Sequence, residues 1–227
     1  PRPRRDGSEE GTSPFPRSLA ALAIGTGDPR GAGPGERAGS GPGPWRPPLA
    51  ARRPPDSYRC RMTQPARIVV GITGASGAAY ARRTIELAAA AGVEVHVSIT
   101  TLGRRLLADE LDVKRPDADA LSGGRGDRVV IHNDNDLGAS IASGSFLNRG
   151  MIVVPCSSNT IAAIAAGITD SLVHRAASVT LKQHRPLILA HREAPLSLID
   201  LRNMTRLAEA GASVSPCNPG FYLRPRT

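Results

Sequence analysis

Two glycine- and hydroxyl-rich runs stand where anionic ligands are commonly held. Gly71-Ile-Thr-Gly74-Ala75-Ser76-Gly77 follows an apolar run directly and opens a helical pattern, and Pro155-Cys156-Ser157-Ser158-Asn159-Thr160 does the same. Glycines let backbone approach an anion closely, and a helix N-terminus offers free N–H groups and a partial positive charge. The same residues also suit humbler tasks: a tight strand–helix turn for the first run, a plain N-cap for Ser157 in the second. A third set, Arg175, Lys182, Arg185, Arg192 and Glu193, combines four cations with one carboxylate. Arg175 and Lys182 are seven apart and share a helix face. Convergence of such cations would clamp a phosphate, with Glu193 placed as acid or base. The alternative is a solvated helix face and a surface ion pair.

The kind of phosphate ligand is narrowed by what is missing. A dinucleotide site expects a carboxylate at the end of the second strand, and here that strand ends in Ser98-Ile-Thr100-Thr101. No Lys-Ser/Thr pair follows the first glycine run, so it is not a P-loop. Hydroxyl-lined loops suit a mononucleotide such as a flavin better than NAD or ATP. Cys156 invites assignment as a nucleophile, but no His/Asn partner goes with it and a small buried residue at a strand end explains it as well. His96 reads as a packed core residue. His132, His174, His184 and His191 have no metal-like spacing, so no metal site is expected. Ala142-Ser143-Gly144-Ser145 is a small-residue loop that allows close ligand approach or a simple turn.

These residues need a scaffold, and the hydrophobic pattern supplies one. Strand runs are expected at 67–72, 93–99, 151–154, 186–190 and 212–214. Helices are expected at 78–91, from 100 to about 111, and at 157–166, 171–183 and 198–210, with a polar excursion over 114–128. Strand–helix alternation of this kind implies an α/β domain, a parallel sheet with helices on both faces. Ligands in such folds sit beyond the carboxyl ends of the strands, where both glycine- and hydroxyl-rich runs fall.

Composition separates this domain from what precedes it. Residues 1–61 hold 12 of the 20 prolines and 10 of the 24 glycines, the density of a disordered chain. More than half of the net charge of +9 also lies there. The expected organisation is therefore a disordered extension, 1–61, and a folded domain, 62–227, with Met62 as the natural start. The acids Asp6, Glu9 and Glu10 argue against a transit peptide, and no apolar run reaches the roughly 18 residues of a membrane span. Aromatics at 3% leave little to stack on bases, so nucleic acid is not expected as a partner. Three cysteines without C-x-x-C spacing fit reduced thiols and a cytoplasmic setting.

Taken in order, Gly71-x-x-Gly-Ala-Ser-Gly77, Ala142-Ser-Gly-Ser145, Pro155-Cys-Ser157, Arg175-Ala-Ala177, Lys182, Arg185-Pro-Leu187, Arg192-Glu-Ala-Pro195 and Pro219-Gly-Phe-Tyr222 resemble the UbiX-type flavin prenyltransferases over nearly all of residues 66–227. The resemblance implies a flavodoxin-like or Rossmann-like domain that assembles into a dodecamer. It implies metal-independent transfer of a dimethylallyl group from dimethylallyl phosphate to reduced FMN, giving a prenylated flavin for a UbiD-type decarboxylase. Matched position by position, Gly74, Ala75 and Ser76 form the first FMN loop, with Ser76 at the reacting face. Thr100 stands where a serine contacts FMN. Ser157, Thr160 and Arg175 are further flavin contacts. Glu110 matches the glutamate of a Glu-x-Asp motif, and Ser143 and Ser145 line the prenyl-donor pocket. Lys182, Arg192 and Tyr222 clamp the donor phosphate, while Glu193 moves a proton as phosphate leaves.

Departures from the family pattern lie at Ser178-Val-Thr-Leu-Lys-Gln-His-Arg-Pro186, where Asp-Val-x-Leu-Lys-Glu-Arg-Arg-Pro is usual, and at Thr227, where family members continue into a helix carrying another arginine. The expectation is FMN binding with weak prenylation, full activity needing residues beyond 227. Two other functions suit parts of the sequence. A phosphopantothenoylcysteine-decarboxylase-like enzyme shares a loop similar to Pro155–Thr160 but expects a catalytic His and a Met-rich motif. A truncated flavin-binding protein without catalysis is the other.

Overall fold

Short apolar runs rich in Val and Ile suit strands buried on both faces. In the computed structural model they form one sheet, of strands β1 (Arg67–Ile72), β2 (Glu94–Ile99), β3 (Val129–His132), β4 (Met151–Cys156), β5 (Leu187–His191) and β6 (Ser213–Pro216). The structure describes residues 66–218; the expected extension 1–61 and Tyr222 lie outside the described residues. All six strands run parallel in the order β3-β2-β1-β4-β5-β6. The expected flavodoxin-like/Rossmann-like α/β architecture is what the chain forms, with the strand order of the Rossmann type. The order reverses between β1 and β4, so a crevice opens beyond their carboxyl ends.

Among the described residues six α-helices cover the sheet: α1 (Ala78–Ala90), α2 (Thr101–Leu111), α3 (Ala118–Ser122), α4 (Ser158–Ala165), α5 (Leu172–Lys182) and α6 (Leu198–Glu209). Alternation along the strands divides the core in two. Val70, Ile72, Val95, Val97 and Ile99 pack with Ala81 and Ile85 of α1, Leu107 of α2 and Leu121 of α3. Val69, Met151, Val153, Leu187 and Leu189 pack with Ile161 of α4, Val173 and Ala177 of α5 and Leu207 of α6. The helices follow the pattern that demands this. α1 buries Ala78, Ala81, Ile85 and Ala89, a stripe at helical spacing in an alanine-rich segment of high propensity. α5 buries Val173, Ala176, Ala177 and Thr180 in the same way.

Strand β3 is the element that sequence pattern did not supply. It has four residues, only Val129 of them buried, and it pairs with β2 at the sheet edge. The signal for it, Val129-Val-Ile131, is too short to stand out behind a polar stretch. Part of that stretch is helical: Asp117 caps α3 by accepting from Ala120 N–H at 2.7 Å.

Candidate active site

The carboxyl ends of β1 and β4 meet at the crevice, and a buried threonine binds them together. Thr73 donates its hydroxyl to the Pro155 carbonyl at 2.8 Å and accepts from Ser157 N–H at 2.9 Å. Its own N–H also reaches the Pro155 carbonyl, at 3.2 Å. One side chain thus fixes the first loop against the second. It was not singled out from sequence, because its partners lie more than 80 residues away.

Each loop is shaped by local requirements. Gly77 has φ 128°, a left-handed value that disfavours any side chain. A Cβ on Gly74 would stand 2.5 Å from Cβ of Leu102, so this glycine lets the first turn of α2 press against the loop. The hydroxyls of Thr100 and Ser157 serve as helix N-caps. Thr100 accepts from Gly103 N–H at 3.1 Å, and Ser157 from Thr160 N–H at 3.3 Å while donating to the Thr160 hydroxyl at 3.1 Å. The alternative weighed for Ser157 is therefore realised, and the cap leaves the first N–H groups of α4 facing the crevice.

Glu110, at the end of α2, reaches across to the N-terminus of α1. Its carboxylate accepts from Gly77 N–H at 3.2 and 3.0 Å and from Ala78 N–H at 2.8 Å. Burial pushes its pKa up, but the bonds from Ala78, Gly77 and the Ser76 hydroxyl, with the charge of Arg192, outweigh this and hold it below the ordinary carboxyl value. Ser76 is thus bonded to Glu110, and Arg192 lies near enough for its charge to act on that carboxylate. Glu193 accepts from the Ser158 hydroxyl at 3.4 Å and from Ala194 N–H at 3.1 Å. Arg192 follows β5 and donates its N–H to the Cys156 carbonyl at 3.1 Å. The Cys156 thiol is fully buried, and burial raises its pKa far above neutrality. It is no nucleophile.

Ser143, Ser145 and Lys182 lie elsewhere. Ser143 and Ser145 precede β4, with their hydroxyls 2.8 Å apart. Lys182 is the last residue of α5, and Gln183 beside it lies against Gly144. Both belong to the amino end of the sheet, one strand length from the crevice, on the order of 20 Å for a six-residue strand. Arg175, in the first turn of α5, donates to the Ala142 carbonyl at 3.2 Å. Arg185 donates to the carbonyls of Phe146 at 2.7 Å and Gly144 at 2.9 Å. Within one chain the four cations therefore do not converge. Seven-residue spacing sets a shared helix face, but α5 runs antiparallel to the strands and carries Lys182 away from Arg192.

The crevice can hold an anionic, flat ligand between hydroxyl-bearing loops, which is the chemistry of a flavin mononucleotide site. Residues 57–223 match the family model described as Flavoprotein, which sets the class. The flavin prenyltransferase LpdB of Lactiplantibacillus plantarum is 46% identical over 162 residues, covering 71% of this chain and 83% of that protein. The crystal structure of AnUbiX (PadA1) in complex with FMN and dimethylallyl pyrophosphate superposes with a TM-score of 0.66 at 40% identity, covering 72% of this chain and 84% of the other. A dodecameric FMN-dependent UbiX-like decarboxylase from Escherichia coli O157:H7 gives 0.62 at 39% identity, over 71% and 85%. This chain belongs to the UbiX-type flavin prenyltransferase family.

Proposed function

We propose that this chain transfers a dimethylallyl group from dimethylallyl phosphate to reduced FMN and so makes the prenylated flavin required by a UbiD-type decarboxylase. The observation that carries the proposal is the pair of hydroxyl-lined loops at the switch point, tied together by Thr73, with the Ser76–Glu110 bond under the charge of Arg192 and the Ser158–Glu193 bond beside them. AnUbiX, which shares the fold at 40% identity, binds both FMN and a prenyl donor.

Gly74, Ala75, Ser76, Thr100, Ser157, Thr160 and Arg175 would hold FMN. When bound, reduced FMN supplies the nucleophilic N5 and C6 atoms that the prenyl group joins. Lys182 and Arg192, with Tyr222, stabilise the negative charge that grows on the departing phosphate. Glu193, bonded to Ser158, takes or returns the proton exchanged as phosphate leaves. Glu110 keeps Ser76 and the α1 N-terminus in place and lends acceptor oxygens beside Arg192. The placement of Ser143, Ser145 and Lys182 at the opposite end of the sheet supports a site shared between copies: one chain offers its crevice, another its serine loop and lysine. A dodecamer like that of the E. coli relative meets this need.

Anaerobic incubation with reduced FMN and dimethylallyl phosphate, read by mass spectrometry, tests the proposal. A flavin heavier by one prenyl unit is expected, and parallel incubation with the pyrophosphate identifies the preferred donor. Bound but unaltered FMN with both donors would overturn the proposal in favour of a non-catalytic flavin protein. Addition of the product to an apo UbiD-type decarboxylase then tests the recipient, with restored decarboxylation expected.

A further inference from the structure

The loop before β4 alternates in a regular way. Ala142, Gly144 and Phe146 turn inward, whereas Ser143 and Ser145 are exposed. The three inward residues also share one feature in their backbone: every carbonyl accepts from an arginine. Arg175 Nε holds Ala142 at 3.2 Å, Arg185 Nη2 holds Gly144 at 2.9 Å and Arg185 Nη1 holds Phe146 at 2.7 Å. Both arginines come from α5 and the turn that follows it. On the outward side the Ser145 N–H donates to the Ser143 hydroxyl at 3.3 Å, and the two hydroxyls lie 2.8 Å apart. Phe146 anchors the loop further, its ring set edge-to-face against the buried His96 ring with centroids 4.7 Å apart, and the Arg67 guanidinium stands 5.6 Å from its centroid.

We propose that Arg185 is a positioning residue, whose guanidinium sets the Ser143–Ser145 hydroxyl pair by holding the alternate carbonyls of Gly144 and Phe146. Among the described residues, both hydrogen bonds of its side chain go to this loop. The planar fork bridges two acceptors at a fixed separation, which a lysine ammonium on a flexible stem does not reproduce. The segment is a single 3-10 turn followed by a tight turn closed by the Phe146 N–H on the Ser143 carbonyl at 3.2 Å, and release of the fork frees that turn to reorient. The hydroxyl pair would then be lost from the exposed side. The cation expected from sequence as part of a phosphate clamp is thus assigned to shaping the pocket wall. This assignment rests on Ser143 and Ser145 forming the prenyl-donor pocket.

The test compares the full-length, FMN-loaded wild type with Arg185→Gln and Arg185→Lys. Arg185→Gln should raise the donor KM about tenfold, the effect of one charge-assisted hydrogen bond, with kcat and FMN affinity within about twofold. Arg185→Lys should fall between. Hydrogen exchange, measured without donor, should quicken in 142–148 of Arg185→Gln and stay unchanged elsewhere. An unaltered KM in an active enzyme, or unaltered exchange in 142–148, overturns the proposal. A wild type that makes no prenylated flavin refutes the proposed function instead, and exchange in 142–148 still decides the role of Arg185. Should Arg185→Gln fail to fold, Arg185→Lys carries both measurements.

Discussion

The two ends of the parallel sheet are organised by different means. At the carboxyl end, loops are fixed through backbone and short side chains: Thr73 ties β1 to β4, Thr100 and Ser157 cap their helices, and Glu110 closes over α1. At the amino end, the long side chain of Arg185, in the turn after α5, grasps a loop by two of its carbonyls. The first arrangement follows from topology, since any doubly wound sheet opens a crevice where its strand order reverses. The second depends on individual side chains and can be altered one residue at a time. The amino-end surface can therefore vary while the crevice at the carboxyl end stays intact.

Substitutions can break this contrast, and the most severe expected is in catalysis. Lys182→Ala should lower prenyl transfer about 100-fold or more by removing charge from the leaving phosphate, while FMN affinity stays within about twofold. Equal loss of FMN affinity would place the lysine at the crevice after all. Mixing inactive Lys182→Ala and Glu193→Gln chains sharpens the point. If the two ends come from different copies, reassembled oligomers recover part of the wild-type rate, and a mixture that stays inactive contradicts a shared site.

Thr73→Val is next in size, expected to cost about 1–3 kcal/mol in denaturant unfolding because it leaves buried partners unsatisfied. It should weaken FMN binding without changing hydrogen exchange in 142–148. Smallest is an acid effect at Glu110. Its carboxyl sits below the ordinary value of 4.5, so its contribution to stability is present above that pH and fades as pH falls through the folded-state value. The Tm difference between wild type and Glu110→Gln should therefore shrink from pH 7 toward pH 3. A gap that widens in acid would give the shift the wrong sign.

The sheet and most helices were legible because apolar runs and alanine-rich segments alternate cleanly from 67 onward. β3 was not, for its four residues bear only one buried side chain. The crevice loops were legible as glycine–hydroxyl runs between a strand and a helix. What joins them was not: Thr73 with Ser157 and Glu110 with Gly77 are contacts across 84 and 33 positions, which no local pattern reports. Spacing on α5 correctly put Arg175 and Lys182 on one face. It could not tell which end of the sheet each would occupy, because helix periodicity fixes angle around the axis and not position along a fold.

The burial of Cys156 bears on durability. Reduced flavins react with dioxygen to give peroxide, and a thiolate beside such a ligand is the natural target. Cys156 stands at the end of β4, next to the second loop, yet its thiol is sealed from solvent and held protonated. The same packing that rules it out as a nucleophile makes it resistant to oxidation, so repeated exposure to air should spare this position at the end of β4.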